Sequence, residues 1–147
     1  MYFQLPVLPE LGLRAGGFWE LRRALRRTSR PGTFTGEDFR RYREAWAQPE
    51  ALSAMLNWYR GLRLSAASAA PARIRVPVRV IWGDGDAFLD RGLAEAGAAL
   101  CDNAEIIHLP EASHWLHHEE PDRVNRLLAE FLATDQGEAL PAYLRRR

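Results

Sequence analysis

Through the first sixty residues apolar positions recur three and four apart, the spacing of one helix face; beyond residue 77 they gather into short runs separated by turn residues. The chain therefore predicts helices first and alternating strands and helices afterwards. Met1 to Pro9 are apolar with two prolines, which predicts an ordered, non-helical lead. From Gly16 to Arg27, Phe18, Leu21 and Leu25 share a face between arginines, an amphipathic helix that Ser29-Arg30-Pro31-Gly32 ends. Thr35 is the expected N-cap of a second helix, with Glu37 and Asp38 in its first turn and Phe39, Tyr42 and Trp46 on one face. Pro49 suits the first position of a third helix running to about Tyr59, where Leu52, Met55, Leu56 and Tyr59 share a face.

Leu64 to Ala72 is rich in Ser and Ala, a change of composition that marks a hinge or subdomain boundary. Val78 to Trp82 then reads as a buried strand ahead of the turn Gly83-Asp84-Gly85-Asp86. Leu93 to Leu100 is helical, Glu105 to Leu109 a second strand stopped by Pro110, and Glu120 to Leu132 a helix with Val124, Leu127, Leu128 and Phe131 on one face. Strand, helix, strand, helix implies parallel strands with crossover helices, hence an α/β fold. A parallel sheet needs both faces covered, and two strands are too few to make one, so further strands are expected from elsewhere. The expected division is a helical region over 1–70 and part of an α/β core over 71–147. An apolar start resembles the middle of a packed domain rather than a frayed end, which predicts that the chain begins inside one. Arg145 to Arg147 read as a solvated end.

Composition narrows the function classes. With 47% hydrophobic and 27% charged residues the chain is globular rather than disordered. Arginine supplies all 20 basic residues against 19 acidic ones, and a net charge of +1 supplies no field to attract nucleic acid or an anionic membrane. Cys101 is the single cysteine, so no internal disulfide forms, and no Cys/His grouping has zinc-ligand spacing. No apolar run approaches the ~20 residues of a membrane span, and the first residues lack the basic start of a secretory signal. The expectation is a cytoplasmic chain without metal, cofactor, nucleic acid or membrane span.

Catalytic groups of open α/β sheets sit beyond the carboxyl ends of the strands. Two loops occupy that place, Gly83 to Phe88 with two carboxylates and Glu111 to Leu116 with a histidine. A carboxylate and an imidazole at neighbouring strand ends can hydrogen-bond, the acid setting the tautomer and stabilising the imidazolium during base catalysis. Asp86 lies further into its loop and is the expected acid, whereas Asp84, beside Gly83, is placed to stabilise the turn. His114 is the expected base. His117 and His118 read as surface or capping residues and His108, inside the strand, as structural.

Val78 to Asp86, Leu109-Pro110-Glu111-Ala112-Ser113-His114-Trp115, and Glu120-Pro121 before the last helix resemble the C-terminal end of α/β-hydrolases. Leu56-Asn57-Trp58-Tyr59-Arg60 resembles the cap motif of epoxide hydrolases within that superfamily, as do Tyr2-Phe3-Gln4-Leu5-Pro6 and Leu8-Pro9-Glu10. By pattern alone Tyr59 is a residue of an apolar helix face. The resemblance implies that it is a cap tyrosine hydrogen-bonding the epoxide oxygen, with Asp86 orienting the histidine, His114 activating water, and Phe88 and Trp115 lining the pocket. A phenol of pKa about 10 suits the alkoxide that ring opening generates. The implied partner is a small hydrophobic epoxide, converted to a vicinal diol through an aspartyl ester.

The family places an oxyanion loop of His-Gly type and a nucleophile elbow, Gly-x-Asp-x-Gly or Gly-x-Ser-x-Gly, ahead of the cap. Neither string occurs among these 147 residues. The expectation is the C-terminal half of an epoxide-hydrolase-like protein, with Met1 inside the cap, inactive alone, and with exposed strands that invite self-association or pairing with a missing half. The alternatives are a haloalkane or haloacid dehalogenase, which shares fold and nucleophile, and a non-catalytic remnant or interaction module.

Overall fold

The computed structural model describes residues 2–61 and 73–135. Its contacts divide the chain into two units, Met1–Ala70 and Pro71–Arg147. The hinge expected at Leu64 to Ala72 and the arginine tail at Arg145 to Arg147 lie outside the described residues.

The first unit is helical. A 3-10 turn spans Tyr2–Gln4, followed by α1 (Leu8–Thr28), α2 (Gly36–Trp46) and α3 (Ala51–Gly61). The segment expected to lead in without helix is thus helical from Leu8, because Pro9 sits in the first turn, where its missing N–H costs no helical bond. The two glycines interrupt α1: Ala15 is extended, and Gly16, Gly17 and Phe18 have φ of 57°, 64° and 65°. Glycine adopts that left-handed conformation freely, so the helix expected from Gly16 is the second limb of a broken one. At α2 the Thr35 hydroxyl accepts from the Asp38 amide at 3.2 Å, and the Asp38 carboxylate accepts from the Thr35 amide at 2.8 Å. These reciprocal bonds satisfy donors that the first helical turn leaves open. Pro49 falls in the turn ahead of α3 rather than inside it, and Glu50 closes that turn at φ 59°. Pro9, Leu25, Phe39, Trp46, Leu52 and Leu56 form the buried residues of these helices.

Arg60 ties the two cap-like motifs together. Its Nε donates to the Phe3 carbonyl at 2.9 Å, one terminal nitrogen to the Leu5 carbonyl at 2.8 Å, and the other to the Glu10 carboxylate at 2.9 Å and to Asn57 Oδ1 at 3.1 Å. The Arg60 hydrogen bond holds the Glu10 carboxyl below the usual carboxylate range against the opposing effect of desolvation.

In the second unit β1 (Val78–Gly83) and β2 (Ala104–Leu109) run parallel, in register from Val78 opposite Ala104 to Gly83 opposite Leu109, with α4 (Gly92–Ala98) as the crossover. Arg79 stands opposite Glu105 and bonds its carboxylate at 2.8 Å, then reaches the Leu127 carbonyl at 2.6 Å. A short helix α5 (Leu116–Glu119), absent from the sequence expectation, precedes α6 (Pro121–Asp135). Leu109, Ala112 and Val124 are buried together, with Ile81, Ile107, Leu116 and Leu127 packed around them. That cluster anchors the loop after β2 to α6, and so sets where the loop's side chains point. No described helix is long and apolar enough to cross a membrane.

Candidate active site

Both chemistry-bearing loops leave the carboxyl ends of the paired strands, and backbone hydrogen bonds stitch them to each other. The Asp84 amide donates to the Leu109 carbonyl at 3.1 Å and the Gly85 amide to the Ala112 carbonyl at 2.9 Å. Glycine is required at position 83 because a Cβ there would meet the Ser113 carbonyl oxygen and come within 2.7 Å of that of Ala112. The loops are therefore held at backbone contact, close enough for short side chains to meet across them.

Asp86 uses its two oxygens separately. Oδ1 accepts from the Phe88 and Leu89 amides at 2.8 and 3.1 Å, which fixes the plane of the carboxylate. Oδ2 accepts from His114 Nδ1 at 2.8 Å. Burial raises the Asp86 pKa, but the His114 hydrogen bond and the two amide bonds outweigh it and hold the group below its ordinary value of 3.8. The carboxylate is ionised at neutral pH. It makes Nδ1 of His114 the protonated nitrogen and leaves Nε2, which has no hydrogen-bond partner among the described residues, as the basic one. The Asp86 side chain is 9% exposed and that of His114 35%, so the acid is sheltered and the base reachable.

Phe88 and Trp115 bracket the imidazole edge-on, with ring centroids 5.0 and 5.2 Å from it. The structure thus brings Asp86, His114, Phe88 and Trp115 into one cluster. Tyr59 belongs to the other unit, on α3, 54% exposed and stacked obliquely on Phe3 at 5.3 Å. Its backbone carbonyl accepts from the Gln4 side chain at 3.1 Å, while its hydroxyl has no hydrogen-bond partner among the described residues.

Two supporting contacts went unseen in the sequence. Glu119 accepts from the Ser113 amide at 2.7 Å and from the Ser113 hydroxyl at 2.6 Å, and the buried Ser113 immediately precedes His114. This pair closes the histidine loop onto α5, and no spacing rule marks it. His108 Nδ1 donates to Asp84 Oδ1 at 2.6 Å, so the turn that carries Asp86 is also tied to the side of β2. Strand register was the available signal: His108 stands opposite Trp82, two residues before Asp84. Burial lowers the His117 pKa below its ordinary 6.5, helped by the neighbouring His118 and His114 and opposed by Glu119. Among the described residues no group of three or more His, Cys, Asp or Glu side chains could hold a metal ion.

This chain is 49% identical over 131 residues to the AB hydrolase superfamily protein YfhM of Bacillus subtilis (strain 168), which covers 89% of this chain and 46% of that protein. It is 31% identical over 141 residues to epoxide hydrolase 2 of Caenorhabditis elegans, covering 90% of this chain and 39% of the relative. Its fold matches the crystal structure of a Bacillus megaterium epoxide hydrolase in complex with an inhibitor, with a TM-score of 0.74 at 25% identity, over 90% of this chain and 49% of that one. The chain spans less than half the length of these relatives. Because the model of the alpha/beta hydrolase family matches residues 2–127, running through both units and both strand-end loops, the chain belongs to that family.

Proposed function

We propose that this chain carries the acid, the base and a cap tyrosine of an epoxide hydrolase, and that the nucleophile lies outside these 147 residues. The observation that carries the reading is the Asp86–His114 hydrogen bond with Nε2 of His114 left open. In the proposed reaction an aspartate of the absent elbow attacks an epoxide carbon, the C–O bond breaks, and the Tyr59 hydroxyl donates a hydrogen bond and then its proton to the alkoxide. His114 Nε2 then takes a proton from water as the oxygen attacks the ester carbonyl, and ionised Asp86 stabilises the imidazolium. Collapse of that intermediate expels the diol oxygen, which takes its proton from the His114 imidazolium, and the proton of the regenerated carboxyl returns to the Tyr59 phenolate, leaving the nucleophile as a carboxylate. Phe88 and Trp115 give the histidine apolar flanks suited to a hydrophobic epoxide. Tyr59 favours this reading over a dehalogenase, because a departing halide needs no proton whereas an alkoxide does. On this reading residues 1–70 form part of the cap and 71–147 part of the core.

The test is diol formation from styrene oxide by the 147-residue chain and by a longer protein that adds a His-Gly loop and a Gly-x-Asp-x-Gly elbow read from in-frame upstream DNA. The chain alone should give no turnover, and the longer protein turnover that His114→Ala abolishes. Turnover by the chain alone that depends on His114 overturns the assignment of the nucleophile. An upstream frame with no such elbow, or a longer protein inert toward epoxides, overturns the epoxide reading.

A further inference from the structure

Outside the motifs that relate to catalysis, the second limb of α1 carries an arginine cluster in the first unit. Arg22, Arg23, Arg26 and Arg27, with Trp19, line a groove of about 280 Å3. Arg22 and Arg26, and Arg23 and Arg27, stand four residues apart and Arg23 and Arg26 three, the spacings at which like charges on a helix repel, so the arrangement costs stability unless something neutralises it. Glu20 reaches Arg23 at 3.6 Å, and among the described residues no other carboxylate pairs with any of the four. The helix C-terminus favours cations in its last turn, which accounts for Arg26 and Arg27 but not for the pair one turn earlier. Aromatic rings hold the guanidiniums in place: those of Arg22 and Arg26 lie 5.6 and 4.7 Å from the Phe39 centroid, and that of Arg23 lies 5.1 Å from the ring of Trp19. Arg22 Nε is also buried without a hydrogen-bond partner among the described residues, a desolvated donor that the Phe39 ring contact leaves without an acceptor.

We propose that this groove is a binding site for a phosphate group. Several guanidinium forks lining one groove match a ligand with more than one negative charge and three or four acceptor oxygens; a carboxylate, with one charge and two oxygens, satisfies only one fork. Stacking has already restricted three of the side chains, which lowers the entropy lost when an anion is bound. A second groove of about 250 Å3, which shares Arg26 and adds Ser29, Arg30 and Thr33, gives room for the organic part of a phosphate ester.

The test is a titration of the full 147-residue chain with inorganic phosphate at constant ionic strength, following the Nε–Hε resonances of Arg22 and Arg26 and the indole N–H of Trp19 by NMR. Saturable shifts confined to these residues are expected, with affinity falling about tenfold in Arg22→Lys, which keeps the charge but loses the planar fork. Arg27→Gln, at an exposed position with no hydrogen bond or ion pair among the described residues, should weaken binding without disturbing the fold. Sedimentation with phosphatidylcholine vesicles containing phosphatidylglycerol separates the sources: pull-down that phosphate competes away identifies a lipid headgroup, and saturable phosphate binding without pull-down a soluble ester. Shifts that do not saturate, that chloride reproduces, or that Arg22→Lys leaves unchanged overturn the proposal.

Discussion

Gly83→Ala tests whether the site depends on the close approach of its two loops. The added methyl would stand 2.7 Å from the Ala112 carbonyl oxygen and 2.9 Å from its carbon, besides touching the Ser113 oxygen. Ordinary contact needs about 3.5 Å, so the histidine loop must retreat by about 0.8 Å at the Ala112 oxygen and by more at the Ser113 oxygen. The Gly85 amide, now 2.9 Å from the Ala112 oxygen, then passes beyond hydrogen-bonding range. Overpacking of a tight site costs ~1–3 kcal/mol and the lost backbone bond ~1 kcal/mol, giving an expected destabilisation of about 2–4 kcal/mol. His114 moves with Ser113, so its bond to Asp86 should lengthen from 2.8 Å and the Nδ1–H resonance should shift or broaden. Urea unfolding measures the first effect and nitrogen-15 NMR of the imidazole the second. Gly97→Ala is the control, since a methyl there meets nothing within 4 Å inside helix α4 and should stabilise by up to ~1 kcal/mol. A Gly83→Ala loss below about 0.5 kcal/mol with an unchanged His114 resonance would refute the reasoning.

Three further outcomes are expected. In Asp86→Asn the amide oxygen keeps the Phe88 and Leu89 bonds and turns its NH2 toward His114, so the proton moves from Nδ1 to Nε2; nitrogen-15 shifts should report the change, and an active longer protein should lose about 10^4-fold in turnover. A Nδ1 that stays protonated in that variant would contradict the division of the carboxylate oxygens. Leu109→Ala, at a position 1% exposed in the core beneath the histidine loop, should cost about 2–5 kcal/mol in urea unfolding, and a smaller loss would mean that the loop is not anchored there. Because the folded Asp86 pKa lies below the ordinary 3.8, its contribution to stability is present above that value and is lost as pH falls through the lower folded one. Stability measured against pH should therefore decline below pH 3.8, with a shallower decline in Asp86→Asn; identical slopes would deny the shift.

Features confined to a few neighbouring residues were legible in the chain. The Thr35 cap needs only the residue three positions on, and the structure adds the reciprocal bond from Asp38. The two strands were marked by apolar runs bounded by proline and glycine, and register brings their ends level, with Gly83 opposite Leu109. The site was legible in the same way, as a loop after each strand, and Asp86 and His114 meet across 28 residues because parallel strands deliver both loops to one edge.

What stayed hidden joins residues distant in sequence or depends on chain reversal. Periodicity runs on across Ala15 to Phe18, so the break in α1 left no mark on the apolar pattern, although the paired glycines permitted it. Helix α5 is a single turn, too short to show a period. Arg60 reads as the end of a motif, yet three of its partners, Phe3, Leu5 and Glu10, lie 50 to 57 residues earlier. Sequence by itself determined most of the helical and strand segments and the two strand-end loops that hold Asp86 and His114, because those follow from local sterics and the burial of one face. Tertiary structure alone decided that Asp84 takes His108 and Asp86 takes His114, that Glu119 closes the histidine loop, and that four arginines share a groove with Trp19. Those pairings depend on distances between chain segments, which only packing sets.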